Sequence, residues 1–335
     1  MIKNNIPKLY RPSSFWEDAT TKIKNEIDEN GIENFRRLKT PLSFFIPTYG
    51  MPGNSFDNKI EKKIIEIIQQ EGNEKQELFI KKWISGEIQA QSDYRIFSAS
   101  LKEDLQFNLN KFSEISYGNP IEHFTFNNKH YSRSSLNYLL GLCFLNRHIT
   151  KKDKIETIME IGSGFGTLGE ILSFSKDKKY IDLDIYPNSY ISWDYLKNIY
   201  KDDIYNSLNL KKEQGISNLP RCTVLNSWNI ENLKGKIDLF VNFISFQEME
   251  PQIVQNYLKH VIKFNPKWIL LRNMKEGKQK LTSKNKVGVI KPIKSETYIE
   301  LLKKYYLLIE RNTLEFGYRT VDNFNSELLL FKIKK

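Results

Sequence analysis

From about residue 155 the chain alternates short apolar strands with amphipathic helices, and nothing else in the sequence restricts its fold as much. The order is "ETIMEI", a glycine-rich turn with a helix through Leu172, "KYIDLDI", a helix over "SYISWDYLKNIY", "CTVLN", "IDLFVNFIS", a helix over "PQIVQNYLKHVIKF", and "KWILLRN". Strands separated by helices cannot close as hairpins, so they run parallel with helices on both faces. The end of the chain is different. After a helix near "ETYIELLKKY" come "YLLIER", "LEFGYRT" and "SELLLFKI", with no helix between the last two. The expected fold is therefore α/β, a doubly wound sheet closed by a C-terminal antiparallel hairpin.

Upstream the pattern is helical. Ser14 is placed to cap a helix over "FWEDATTKIKNEIDEN" that stops at Gly31, "FDNKIEKKIIEIIQQEG" gathers isoleucines on one face, and "ELFIKKWISG" adds a further amphipathic turn. "TPLSFFIPTYGMPGN" reads as a loop punctuated by Pro and Gly. A helix over "SSLNYLLGLCFLNRHI", with Arg147 and His148 at the negative end of its dipole, leads into the sheet. Two regions are expected: residues 1–112, mostly helical, covering the acceptor side or making a homodimer contact, and residues 113–335, the sheet domain.

The net charge of +11 invites a phosphate-binding reading. Lys outnumbers Arg 41 to 10, however, and the positive residues are dispersed, whereas a dedicated phosphate reader favours the planar fork of Arg. Nucleic acid is not the expected partner; an acidic sugar, a nucleotide-sugar or an anionic headgroup fits the charge equally well. Cys143 and Cys222 lie in apolar runs and are expected to be buried free thiols. No run is long and apolar enough for a membrane span, and "MIKNNIPKLYRPSSFW" lacks the apolar run of a signal peptide, so a cytoplasmic location is expected.

The turn between the first strand and its helix is "EIGSGFGTLGE", Glu160 to Glu170. Glycines there let backbone approach a ligand, and the helix N-terminus offers free N–H groups. Dinucleotide and S-adenosyl-L-methionine sites share that design. Glu160 at the strand end favours the second, because a carboxylate there can orient a cationic ammonium and gives nothing to a pyrophosphate. Gly162, Ser163, Gly164 and Gly166 form the cradle. An acid for the ribose is expected about 20 residues on; Asp182 and Asp184 share a strand face, and Asp184, three residues before Pro187, is at the strand's mouth.

The stretch from Glu160 to Gly166 resembles motif I of class I S-adenosylmethionine-dependent methyltransferases. More narrowly, "EIGSGFGTLGEIL", "YIDLDIYP", "FVNFISFQEM" and "QNYLKHV", with "HYSRSSLNYL" upstream, resemble the sugar O-methyltransferase family of bacterial glycan gene clusters, over roughly residues 115 to 275. The sequence departs from that family at Ile185-Tyr186-Pro187, where a double proline is frequent. The resemblance implies a Rossmann-like class I methyltransferase sheet, S-adenosylmethionine as cofactor, and a sugar hydroxyl as acceptor in surface-glycan or nucleotide-sugar biosynthesis.

Methyl transfer to a hydroxyl needs orientation and a base for the proton. Glu248, in the loop after the fourth strand, is the first candidate, although Ser245-Phe-Gln-Glu248 also matches a capping box. His130 is the second; Tyr131 and Arg133 beside it suit the methionine carboxylate or sugar hydroxyls. His148 and His260 read as helix residues away from the mouth. Asn226 could meet the adenine edge with Trp228 stacked on it, while Asn242, Gln247, Arg272 and Asn273 are candidates for the acceptor. No Cys/His cluster indicates zinc, the few rim carboxylates do not establish a Mg²⁺ site, and no metal ligand is assigned. A nicotinamide-dependent oxidoreductase, an RNA methyltransferase and a non-catalytic S-adenosylmethionine-binding scaffold are the competing readings.

Overall fold

The computed structural model describes residues 6–45, 58–283, 288–320 and 323–334. Its N-terminal third is helical. Helix α1 (Glu17–Asn30) ends at Gly31, whose φ of +83° breaks the helix. It is followed by α2 (Lys39–Phe45), α3 (Asn58–Glu71), α4 (Glu74–Ile84) and α5 (Glu87–Ser100). Two details differ from expectation. Trp16, not Ser14, occupies the N-cap of α1, and the Ser14 hydroxyl instead donates to Glu250 at 2.6 Å. "TPLSFF" is helix rather than loop, because Pro41 falls in the first turn of α2, where its missing N–H is no loss, and Glu26 accepts from both the amide and the hydroxyl of Thr40. Residues 46–54 of the expected loop lie outside the described residues.

A hairpin of β1 (Phe124–Phe126) and β2 (Lys129–Tyr131) leads to α6 (Arg133–Asn146). Ser132 caps α6 through a capping box with Ser135. Every residue of α6 is buried, as expected of a helix packed between a sheet and further helices. The remaining elements are β3 (Thr157–Ile161), α7 (Thr167–Ser173), β4 (Lys179–Asp184), α8 (Asn188–Tyr200), β5 (Gln214–Gly215), β6 (Cys222–Asn226), β7 (Leu233–Lys234), β8 (Leu239–Phe243), α9 (Pro251–Lys263), β9 (Trp268–Met274), α10 (Ser295–Leu302), β10 (Tyr306–Asn312), β11 (Tyr318–Arg319) and β12 (Asn325–Ile333). The Tyr186–Pro187 peptide is cis, and α8 begins directly after it.

The main sheet has the order β10-β12-β9-β8-β3-β4-β6, with β12 antiparallel to both neighbours and the ladders from β9 to β6 parallel. The Rossmann-like sheet with its C-terminal antiparallel hairpin is thus present. The last strand lies inside and β10 forms the edge, because Leu328 to Phe331 are buried throughout while Leu307, Leu308 and Ile309 of β10 are exposed. "LEFGYRT" contributes only the two residues of β11 on the flank of β12. Cys143 and Cys222 are buried and free, as expected.

The N-terminal helices share a core with the sheet. Trp16, Ile23, Phe35, Phe97 and Phe112 belong to the same buried cluster as Leu139, Phe144, Leu239 and Leu270. The polar tie between them is Arg36, only 1% exposed, which bonds Glu122 at 2.5 Å and Glu114 at 2.6 Å and lies over the Phe165 ring at 4.9 Å. Phe165 is part of the glycine turn, so this cation joins the N-terminal region to the site. Removing one partner of such a buried set leaves charge without compensation. Arg36→Met is therefore expected to destabilise the chain by about 3–5 kcal/mol, measured by urea denaturation.

Candidate functional site

Between β3 and α7 the chain turns through Gly162, Gly164 and Gly166, with φ of +77°, +68° and +94°. The three glycines serve different ends. A Cβ on Gly162 would meet Ser245 Oγ at 2.2 Å, and one on Gly166 would meet Leu196 and Ser192 at 2.9 Å, so both permit close packing. At Gly164 the nearest atom is a Phe45 ring carbon at 3.7 Å. At Gly164 an added Cβ would make only ordinary contact with Phe45, so of these three glycines it is the least crowded.

Three acids lie beneath this turn. Asp182 accepts from Ser163 (2.6 Å) and Ser192 (2.7 Å), while Asp184 accepts from the amides of Gly164 (3.1 Å) and Ile185 (2.7 Å). Glu160 accepts from the hydroxyls of Tyr138 and Tyr180, each at 2.6 Å. Burial, reinforced by Asp182, pushes Glu160 up to about 8 despite both tyrosine bonds. Burial moves Asp182 up to about 6, and burial together with Asp182 puts Asp184 well above the ordinary carboxylate range.

The turn opens into a cavity of about 340 Å³. Gly162, Ser163, Gly164, Asp184, Ile185 and Asn188 form one wall, and Ser134, Asn137 and Tyr138 of α6 form the next. Gln247 and Glu248 stand at the rim after β8, and Phe15, Trp16, Phe44 and Phe45 from the N-terminal region complete the lining, with Phe45 against the glycine turn. Glu248 is gripped from outside the sheet: Oε1 receives Lys278 Nζ at 2.8 Å, Oε2 receives Trp16 Nε1 at 3.1 Å, and its carbonyl receives the Ser13 hydroxyl at 2.6 Å. The capping box does not form. Ser245 Oγ donates to the Ile161 carbonyl, and α9 starts at Pro251 behind Glu250. Ile244, which also lines the cavity, has φ +71°, a strained setting for a β-branched residue.

Several expected site residues are placed elsewhere. Glu160 does not line the cavity, because Tyr138 stands between it and the opening. His130 is exposed on β2, stacked against His123 at 5.5 Å and near Thr125, since strand alternation turns Tyr131 inward and His130 out. Tyr131 is core, packed against Tyr94, Phe97 and Phe112. Arg133 is buried against Asp93 at 3.2 Å. Asn226 is occupied by Ser189 and Asn209, and neither it nor Trp228 reaches the cavity. Asn242 ties the Ile161 carbonyl to Ser245, Asn273 bonds Asn242 and the Gln247 amide, and Arg272 is fully buried beneath the Phe243 ring. Gln247 does line the cavity, although its carbonyl oxygen is held by the Met274 amide at 2.6 Å.

The sequence reading missed the N-terminal aromatics, Lys278 and the Ser134-Asn137-Tyr138 face of α6. The paired aromatics "FW" and "FF" beside Ser and Pro were the available signal for the first. Ser134, Asn137 and Tyr138 follow helical i, i+3, i+4 spacing in an otherwise apolar helix, which was the signal for the last. Among the described residues no group of three or more His, Cys, Asp or Glu is placed to hold a metal, and no described helix is long and apolar enough to cross a membrane.

Two outcomes follow from this geometry. Gly164→Ala is expected to cost about 1–2 kcal/mol for its left-handed backbone, and Gly162→Ala about 1–3 kcal/mol more for its contact with Ser245, compared by chemical denaturation. Folded Glu160 keeps its proton up to about pH 8, whereas the unfolded side chain releases it near 4.5. The folded state binds more protons in that window, so this group's contribution falls as pH rises through it. Glu160→Gln should therefore gain in denaturation midpoint relative to wild type between pH 5 and pH 8; a constant difference would contradict the assignment.

Neither a family model nor a curated protein matches this chain. Solved structures similar to it include magnesium protoporphyrin IX methyltransferase from Synechocystis PCC 6803 with bound SAH, at 10% identity and TM-score 0.42 over 60% of this chain and 84% of that one. Mitomycin 7-O-methyltransferase MmcR is similar at 12% identity and TM-score 0.40 over 60% and 55%, and TehB from Haemophilus influenzae at 14% and 0.38 over 59% and 67%. TM-scores below 0.5 transfer no activity, and the fold of this chain is read from its own strand order.

Proposed function

We propose that the chain is an S-adenosylmethionine-dependent O-methyltransferase acting on a sugar hydroxyl in cytoplasmic surface-glycan or nucleotide-sugar biosynthesis. One observation carries this reading: Gly164, the least crowded of the three positive-φ glycines of the turn, the Asp184 carboxylate and a tethered Glu248 all line one cavity. The residues fit the cofactor. Bare backbone at Gly164 admits close approach, and each Asp184 oxygen has spent one acceptor site on an amide and keeps another for a ribose hydroxyl. Ser134, Asn137 and Tyr138 would hold the amino-acid end.

S-adenosylmethionine, when bound, supplies an electrophilic methyl group whose bond to sulfur breaks as the new carbon–oxygen bond forms. The chain's own task is to orient the acceptor and take its proton. Glu248 is the base, and its two tethers fix the direction of the carboxylate, since a positioned base contributes about 10²- to 10⁴-fold. The aromatic cover from residues 1–112 excludes water and offers flat apolar faces to a sugar ring, which supports the assignment of that region as the acceptor-side cover. The sugar itself rests on the family resemblance.

Asp184→Ala is expected to weaken S-adenosylhomocysteine binding about 10- to 100-fold by calorimetry, as fits loss of the hydrogen bonds between its carboxyl group and the ribose hydroxyls. Binding of a nicotinamide dinucleotide in its place would overturn the proposal. Glu248→Gln should keep that affinity and lose about 10²-fold or more in turnover, read as methyl incorporation into isolated glycan by mass spectrometry. Full incorporation by this variant would remove Glu248 as the base.

A further inference from the structure

We propose that the acceptor is an acidic sugar, whose carboxylate or phosphate is met by the Lys278 ammonium with Arg11 at the same mouth. This rests on the O-methyltransferase reading and names its substrate class. The charged side chains lining the cavity are Arg11, Asp184, Glu248 and Lys278. Asp184 is held on the glycine-turn side, so among the described residues the acceptor side carries two cations and one carboxylate.

Lys278 has a confined position. Its ammonium lies 2.8 Å from Glu248 and 4.3 Å from the Phe15 ring centroid, with its side chain 20% exposed. During transfer the acceptor O–H bond breaks, its proton passes to Glu248, the oxygen–methyl bond forms and the methyl–sulfur bond breaks. Glu248 is then neutral, and Lys278 has lost its counter-charge among aromatic walls. An ammonium stripped of its partner in such surroundings is unfavourable. A neutral sugar leaves that deficit in place; an anionic sugar supplies the missing charge and brings the acceptor side to zero before the proton moves.

Arg11 adds a second donor. Its Nε bonds the Ile6 carbonyl at 2.8 Å, and the exposed side chain lines the mouth, where a guanidinium can pair with a planar carboxylate or a phosphate. The chain's net charge of +11 draws such ligands from solution.

The test is calorimetric titration of the full chain, saturated with S-adenosylhomocysteine, with methyl glucuronoside, glucose 1-phosphate and methyl glucoside. At least one anionic sugar is expected to bind about tenfold or more tightly than methyl glucoside. Preference for the glucuronoside identifies a carboxylate, and preference for the phosphate identifies a sugar phosphate. Lys278→Met should abolish the preference while S-adenosylhomocysteine affinity stays unchanged, and Lys278→Arg should retain it. Equal affinities, no sugar binding, or a preference that survives in Lys278→Met would overturn the proposal while leaving the methyltransferase reading intact. Failure of S-adenosylhomocysteine to bind would remove both.

Discussion

Three carboxylates buried side by side beneath one backbone turn set the geometry on which the site depends. The register of β3 on β4 places Glu160 directly opposite Asp182, and the turn then brings Gly164 onto Asp184. Like charges this close raise one another's affinity for protons, an arrangement no stability argument would select. It persists because each acid is met by donors of its own: tyrosine hydroxyls for Glu160, serine hydroxyls for Asp182, amides for Asp184. Through Ser163 and the Gly164 amide, these bonds fix the backbone of the turn above the acids.

The second constraint is that the sheet cannot complete its own cavity. Its rim supplies Glu248 and Gln247, but the groups that aim Glu248 come from the N-terminus and from the segment after β9. Ser13, Ser14 and Trp16 bond successive features of the Glu248–Glu250 rim, and Arg36 fastens the same region to Phe165 on the turn. A common apolar core beneath these ties makes the helical region part of the site's walls rather than an appended module.

The sheet was readable because its signals are local. Period-two runs, the glycine turn and Pro251 at the start of α9 each follow from a few neighbouring residues. That Gly164 and Asp184 meet at one strand mouth was readable for the same reason, since the 20-residue spacing spans a single strand–helix–strand unit. What escaped depends on contacts distant in sequence. Trp16 meets Glu248 across 232 residues, which no window reveals. Asn242, Asn273 and Arg272 lie at the right strand ends yet face neighbouring backbone and rings, because strand position fixes a face but not what covers it. His130 and Tyr131 illustrate the same limit: alternation separates them, and only the packing of Tyr94 and Phe97 decides which turns inward.

The amides expected to touch an acceptor have a different consequence for the chemistry. Asn242, Asn273 and Gln247 form a chain of bonds from the Ile161 carbonyl to the Met274 amide, locking the strained turn at Ile244 to the strands on either side. Glu248 therefore projects from a fixed backbone, with one donor on each carboxylate oxygen. A carboxylate accepts about four hydrogen bonds, so lone pairs remain, but Trp16 and Lys278 occupy the sides that face the N-terminal cover and the segment after β9. Glu248, Trp16 and Lys278 all line the cavity that Gly164 also lines. On the proposed reading, a hydroxyl bonded to Glu248 in that cavity lies on the side of the glycine turn, so the bonds that rigidify the rim would also select which oxygen of an acceptor loses its proton.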